Sequence, residues 1–251
     1  MEFRLKIIIL DTEMSGSMSE DRLVSIAIGE LQNEKLKKIK KGLFNPGVPV
    51  KQGAFWVHKI SDRVLEKKPD FKKTEFYDFL KDFFSDRMNV VIGHAICNDL
   101  FIIAKEGIRC TCKIIDTQYC ATKIFQTERS SLNFLANEYN LIGDENIKFH
   151  TAEGDVKVTH KLLLELLKHH SFDELIQLSM EPFYSQSLSA DGRRKKPVYT
   201  IAALTPEKLL KHFTTVKDPK MFYALTYFHG NAHLFENNTD KSEVMRILND
   251  K

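Results

Sequence analysis

Short apolar runs separated by polar turns divide this chain into strands and helices. Leu5 to Leu10 is apolar except for Lys6 and reads as a buried strand. "RLVSIAIGEL" (Arg22 to Leu31) alternates apolar and polar residues as a second strand. "KLKKIKKGLF" (Lys35 to Phe44) is a third, with lysines on its wet face and "NPG" closing it. The short connections predict an antiparallel meander. From Lys73 to Phe84 the period becomes helical, with Phe76, Phe79, Leu80 and Phe83 on one side. Asn89 to His94 then reads as a short buried strand, and Asp99 to Gly107 as a helix ended by its glycine. "CKIIDTQ" is a further strand, followed by helical stretches at Tyr119 to Phe125, Ser131 to Tyr139 and Asp155 to His170.

A meander followed by strand–helix alternation predicts an α/β protein whose mixed sheet is flanked by helices. The period weakens after about Leu178, and "SLSADGRRKKP" (Ser187 to Pro197) has the composition of a basic linker. The expected division is a main domain over residues 1–175 and a small C-terminal extension over 176–251, with the linker near 187–197. The extension also contains an amphipathic stretch, "TPEKLLKHF", and an aromatic one, "KMFYALTYFHG".

The first strand runs into two acids, Asp11 and Glu13, two residues apart. Side chains at that spacing on a strand share a face. Two carboxylates there repel each other, and burying either one unpaired is costly. A metal ion would hold them together; a solvated strand end leading into Ser15, Gly16 and Ser17 would also tolerate them. Asp99 follows a second short apolar strand in the same way, as a helix N-cap or a site acid. His150 and Asp155, five apart, lie at the entrance to the last long helix, where an acid also suits the helix dipole.

Composition narrows the setting more than the chemistry. The 251 residues can bury a real core, and 37 basic against 34 acidic residues give a net charge of only +3. No stretch approaches the ~18–20 apolar residues that span a bilayer, and the N-terminal apolar run is too short for a signal peptide. The expectation is a cytoplasmic protein with no membrane partner. Its four cysteines (Cys97, Cys110, Cys112, Cys120) lack finger spacing and read as reduced thiols. The lysines at 35, 37, 38, 40 and 41 fit either a guarded edge strand or a path for a phosphate backbone, as do the basic residues Arg193 to Lys196. Trp56 and Phe55 fit either core packing or stacking on a base.

The acids taken together resemble the DEDD superfamily of 3′-to-5′ exonucleases, in the subgroup with a catalytic histidine. Asp11 and Glu13 in "DTEMSG" match its Asp-x-Glu motif, Asp99 in "GHAICND" its second motif, and His150 and Asp155 in "HTAEGD" its third. "FNPGVPV", "WVHKISDRVL" with His58, "IIDTQYCATKIF" and "SSLNFLANEYNLI" resemble the segments between them. The resemblance runs from about Lys6 to His169. The chain departs from the family at position 95, Ala where Asn is common, at position 98, Asn where Phe is usual, and at Met14, which replaces a common Thr.

The resemblance implies a ribonuclease H-like fold and two divalent ions, Mg2+ or Mn2+. Asp11 would bridge both ions, Glu13 and Asp155 would complete one site, and Asp99 would hold the other. His150 would be the general base, and Thr12, Met14, His58 and His94 would lie against the substrate. The implied substrate is nucleic acid with a free 3′ end, single-stranded DNA being favoured over RNA. A DNA polymerase or another replication or repair protein would bind through the C-terminal region. An exoribonuclease of the ribonuclease T type uses the same acids and differs in contacts to the 2′-hydroxyl. A non-catalytic nucleic-acid-binding scaffold would have no need of all four acids and the histidine. A nucleotide phosphohydrolase would not explain the order of the motifs.

Overall fold

The computed structural model describes residues 5–16, 21–108, 110–127, 129–143, 145, 147–180, 182–184 and 197–199. The expected linker apart from Pro197, with its basic run, and both stretches expected after it lie outside these residues. The meander is present: β1 (Ile7–Met14) pairs antiparallel with β2 (Leu23–Gln32), and β2 with β3 (Lys35–Leu43). β4 (Val90–Gly93) lies parallel to β1 on its other side, and β5 (Lys113–Asp116) parallel to β4. The sheet order is therefore β3-β2-β1-β4-β5, mixed as expected.

Eight α-helices surround this sheet among the described residues: α1 (Gln52–His58), α2 (Asp62–Leu65), α3 (Glu75–Ser85), α4 (Cys97–Lys105), α5 (Thr117–Phe125), α6 (Leu132–Glu138), α7 (Ala152–Leu167) and α8 (Phe172–Met180). Two further short strands, β6 (Pro182–Tyr184) and β7 (Pro197–Tyr199), pair antiparallel.

The period of two in β1 sorts its side chains between two cores. Ile8 and Leu10 face one, with Ile26, Val91, Leu80 and Phe84 of α3, and Leu100 and Ile103 of α4. Ile9 faces the other, with Ala27, Ile92, Val156 and Leu162 of α7, and Leu175 and Ile176 of α8. Each such fully buried side chain is worth about 1.5–3 kcal/mol. Gly29 lets α7 lie close, because a Cβ there would come within 2.9 Å of Val156. β3 is the exposed edge that its lysines suggested; the Lys40–Glu30 pair there spans 3.7 Å in solvent and adds little.

Three elements differ from the expectation. β1 continues to Met14 because β2 keeps pairing with it as far as Leu23, so both acids sit inside the strand. α7 begins at Ala152, capped by Thr151, whose hydroxyl oxygen accepts the Gly154 N–H at 3.2 Å. α8, which the sequence did not predict, spans residue 175 and packs Leu175 and Ile176 into the second core.

Candidate active site

β4 stops pairing with β1 at Ile9, which leaves the last residues of β1 without a neighbour on that side. Chain connections leave in opposite directions here, toward β2 on one side of β1 and through β4 on the other. Such a switch point opens a crevice at the carboxyl ends of the parallel strands. Asp11 and Glu13 share the face of Ile9, toward α7, and Asp155 sits in the first turn of α7. Carboxylate oxygens of Asp11, Glu13 and Asp155 all lie within 4.8 Å of one another.

Asp99 enters from the other layer. It lies in the first turn of α4 rather than at its cap, and is only 5% exposed. Its Oδ1 accepts the Thr12 N–H at 2.7 Å and the Thr12 hydroxyl at 2.6 Å. Thr12 points to the α4 side because its neighbours Asp11 and Glu13 point to α7. One tripeptide of β1 thus joins acids from both helical layers.

The electrostatics are those of a site that wants a cation. Burial, then the Asp99, Asp155 and Glu13 charges, hold Asp11 well above the ordinary carboxylate range. Burial and the charges of Asp155 and Asp99 push Glu13 up to about 8. Asp99 is pushed up to about 7 by burial, against the opposing hydrogen bonds from Thr12. Burial raises Asp155 to about 6, although His150 opposes this through its charge and its backbone N–H. Glu153, two residues from Asp155, shows the contrast: hydrogen bonds from Lys157 and Lys41 pull it down to about 2. Among the described residues no lysine or arginine pairs with any of the four site acids. An all-oxygen set with this charge fits a hard divalent cation.

His150 is exposed, with a left-handed backbone (φ 57°), in the loop that enters α7 just before its Thr151 cap. The turn that carries it needs Gly154, where a Cβ would fall 1.9 Å from the Lys148 carbonyl oxygen. Met14 is half-buried against the α3/α4 core, beyond a register shift that bends β1 after Glu13. His58 donates Nε2–H to the Met14 carbonyl (3.2 Å) and accepts the Ile60 N–H at Nδ1 (3.0 Å). Burial lowers its pKa, and the ring fixes α1 against the end of β1. His94 is engaged through Ser130 O (2.7 Å) and Thr117 Oγ1 (3.1 Å), and burial pushes it down to about 4. Neither ring has a nitrogen left over for a substrate.

Trp56 is 62% exposed, with the Lys59 ammonium 4.3 Å above its ring, so it is not a core residue. Among the described residues Cys110, Cys112 and Cys120 are free thiols. Sequence reasoning missed Asp116, an acid that ends the buried strand β5 and caps α5. The signal was the one that flagged Asp11, a carboxylate closing an apolar run.

A mixed sheet with four acids gathered at its switch point defines a ribonuclease H-like nuclease. The sequence profile of the RNase T family, described as Exonuclease, matches residues 8–163. DNA polymerase III subunit epsilon of Buchnera aphidicola subsp. Schizaphis graminum (strain Sg) is 30% identical over 176 residues, covering 63% of this chain and 73% of that protein. Among solved structures, exonuclease X in complex with 5′ overhanging duplex DNA superposes with a TM-score of 0.57 at 18% identity, covering 68% of this chain and 98% of that one. A 3′-exonuclease that recognises the 3′ end of a histone mRNA stem-loop gives a TM-score of 0.52 at 10% identity, over 66% of this chain and 64% of that one. The chain belongs to the RNase T exonuclease family and is a DEDD-type 3′–5′ exonuclease, a hydrolase of phosphodiester bonds.

Proposed function

We propose that this exonuclease removes nucleotides one at a time from the 3′ end of single-stranded DNA, with Asp11, Glu13, Asp99 and Asp155 holding two divalent ions and His150 acting as general base. The observation that carries this reading is the convergence of Asp11, Glu13 and Asp155 within 4.8 Å, with Asp99 beside them and, among the described residues, no lysine or arginine paired with the set. Asp11, Glu13 and Asp155 would hold an ion through their converging oxygens, and Asp99, from the other layer, would help Asp11 to hold a second. Mg2+ or Mn2+ bound there would neutralise the scissile phosphate and favour both the attacking water and the leaving 3′-oxygen.

The remaining work falls to the chain itself. An imidazole nitrogen of His150 takes a proton from the water as its oxygen bonds to phosphorus. The P–O3′ bond breaks, the 3′-oxygen leaves with a proton, and a 5′-mononucleotide is released. Thr151, whose hydroxyl donates to Lys148 O and accepts the Gly154 N–H, holds the turn that presents His150. Thr12 holds Asp99 and, with Met14, borders the terminal nucleotide. His58 and His94 support the walls of the pocket through the bonds described above rather than through ring nitrogens on the substrate.

DNA is favoured because the relative at 30% identity is a DNA polymerase subunit, which also suggests a polymerase or repair partner for the C-terminal region. The histone mRNA exonuclease keeps an RNA substrate as the second reading. Labelled single-stranded DNA, duplex DNA and RNA, each digested with Mg2+, Mn2+ or excess chelator, test the proposal. Single-stranded DNA is expected to be shortened fastest, and only with metal. Faster loss of RNA would move the assignment to an exoribonuclease, and full activity in chelator would end the metal reading.

A further inference from the structure

Asp99 stands in the first turn of α4, directly after the turn that leads from β4 into that helix, and this turn is held by the start of α5. Ala95 within it is left-handed (φ 55°), a conformation in which a Cβ is unfavourable. Asp116 Oδ1 accepts the Ala95 N–H at 3.1 Å. Beside it the Thr117 hydroxyl lies 3.1 Å from Gly93 O and 3.1 Å from His94 Nδ1, so both sides of the turn are tied to β5 and α5. Residues 95 and 96 set the first turn of α4, because Asn98 N–H donates to Ala95 O (3.1 Å) and Leu100 N–H to Ile96 O (3.0 Å). Asp99 lies between these two bonds. On its far side the Asp116 N–H donates to Ser179 Oγ (3.0 Å) in α8, whose hydroxyl donates to Leu175 O (2.9 Å).

Asp116 also caps α5 through Gln118 N–H and Tyr119 N–H, a role that needs no connection with the active site. Its hold on Ala95 adds nothing to that cap. At 6% exposure it is too buried to meet a substrate. We propose that Asp116 is a positioning residue of the hydrolysis: it fixes the left-handed turn at Ala95, and so sets where Asp99 stands and how firmly the second divalent ion is held. This inference rests on the two-ion reading above.

Mn2+ binding to the full chain, followed by the loss of the electron paramagnetic resonance signal of the free ion, reports on this without requiring turnover. Asp116→Ala is expected to weaken the weaker of two binding steps about tenfold or more and to leave the tighter one nearly unchanged, the size expected for loss of a group that orients a ligand. Asp116→Asn keeps the Oδ1 acceptor and is expected to bind both ions much as the parent does. Adding Ala95→Gly to Asp116→Ala should recover much of the lost affinity, since glycine takes the left-handed turn freely; a role limited to capping α5 predicts no such recovery. If Asp116→Ala does not fold, Ala95→Val decides, because it strains the same turn and leaves the α5 cap intact. It should show the same selective weakening. Parent-like binding in folded Asp116→Ala, or in Ala95→Val where the first does not fold, overturns the proposal. A parent protein that binds no Mn2+ overturns the two-ion reading itself, and this inference with it.

Discussion

Neutralising Glu13 should stabilise the metal-free protein while weakening its response to metal. Glu13→Gln keeps the shape of the side chain and deletes one charge from a set whose oxygens lie within 4.8 Å. Two unit charges at that distance repel by about 3 kcal/mol at an effective dielectric constant of ~20. Partial exposure reduces this, so about 1–2 kcal/mol is a reasonable gain, or roughly 2–8 °C in melting temperature for a chain of this size. The sign with pH follows from the raised pKa of about 8, against 4.5 ordinarily. A carboxyl raised by folding contributes its stability fully below its unfolded pKa and loses it as pH rises through the folded value. The parent should therefore match Glu13→Gln near about pH 5 and fall below it by about pH 9. Thermal unfolding in excess chelator at both pH values reads this directly. Repeating it with Mn2+ should raise the parent's melting temperature more than the variant's. A variant that is less stable than the parent at the higher pH, without metal, would show that the acids do not repel each other as described.

Three further outcomes follow from the geometry of the site and its surroundings. His150→Asn tolerates the left-handed turn, so it should keep its stability while the saturated cleavage rate falls ~10²-fold, with partial recovery at high pH; a normal rate on single-stranded DNA would remove the base role. Gly154→Ala should lower the melting temperature and slow cleavage at least about tenfold without altering any acid, because its Cβ must displace the Lys148 carbonyl and the turn carrying His150; unchanged kinetics would show that this turn does not position the base. Trp56→Ala should shift the melting temperature by less than about 2 °C, as expected of an exposed side chain; a large loss would mean that the indole is buried against another part of the protein.

The sequence made the strands and the acids legible for one reason: period and charge are local. β1 follows from its apolar run, β2 and β3 from their polar–apolar pattern, and the shared face of Asp11 and Glu13 from their spacing. The length of β1 was not legible, because its acids interrupt the apolar run while pairing with β2 continues to Met14. α1 was missed because Trp56 and Val57 are exposed on a seven-residue helix with little apolar face to read. α8 was obscured by polar residues, although Leu175, Ile176 and Ser179 are buried. The behaviour of His58 and His94 depends on Met14 O and Ser130 O, partners 44 and 36 residues away, which no local pattern reveals. The same holds for Asp116, whose importance lies in the backbone of another loop.

The central claim is that the acids on β1, α4 and α7 form one metal-dependent centre acting at a 3′ end. It is tested most directly by giving the parent and Asp11→Asn the same three substrates in Mn2+: linear single-stranded DNA with a 3′-hydroxyl, the same strand with a 3′-phosphate, and a single-stranded circle. The parent should release 5′-mononucleotides from the first, act slowly or not at all on the second, where the phosphate adds about 1.5–2 negative charges beside the acids, and leave the circle intact. Asp11→Asn should lose about a hundredfold or more of the rate on the linear strand, since the proposal makes Asp11 a ligand of both ions. Rapid cutting of the circle by the parent, or a near-normal rate for Asp11→Asn, would contradict the account.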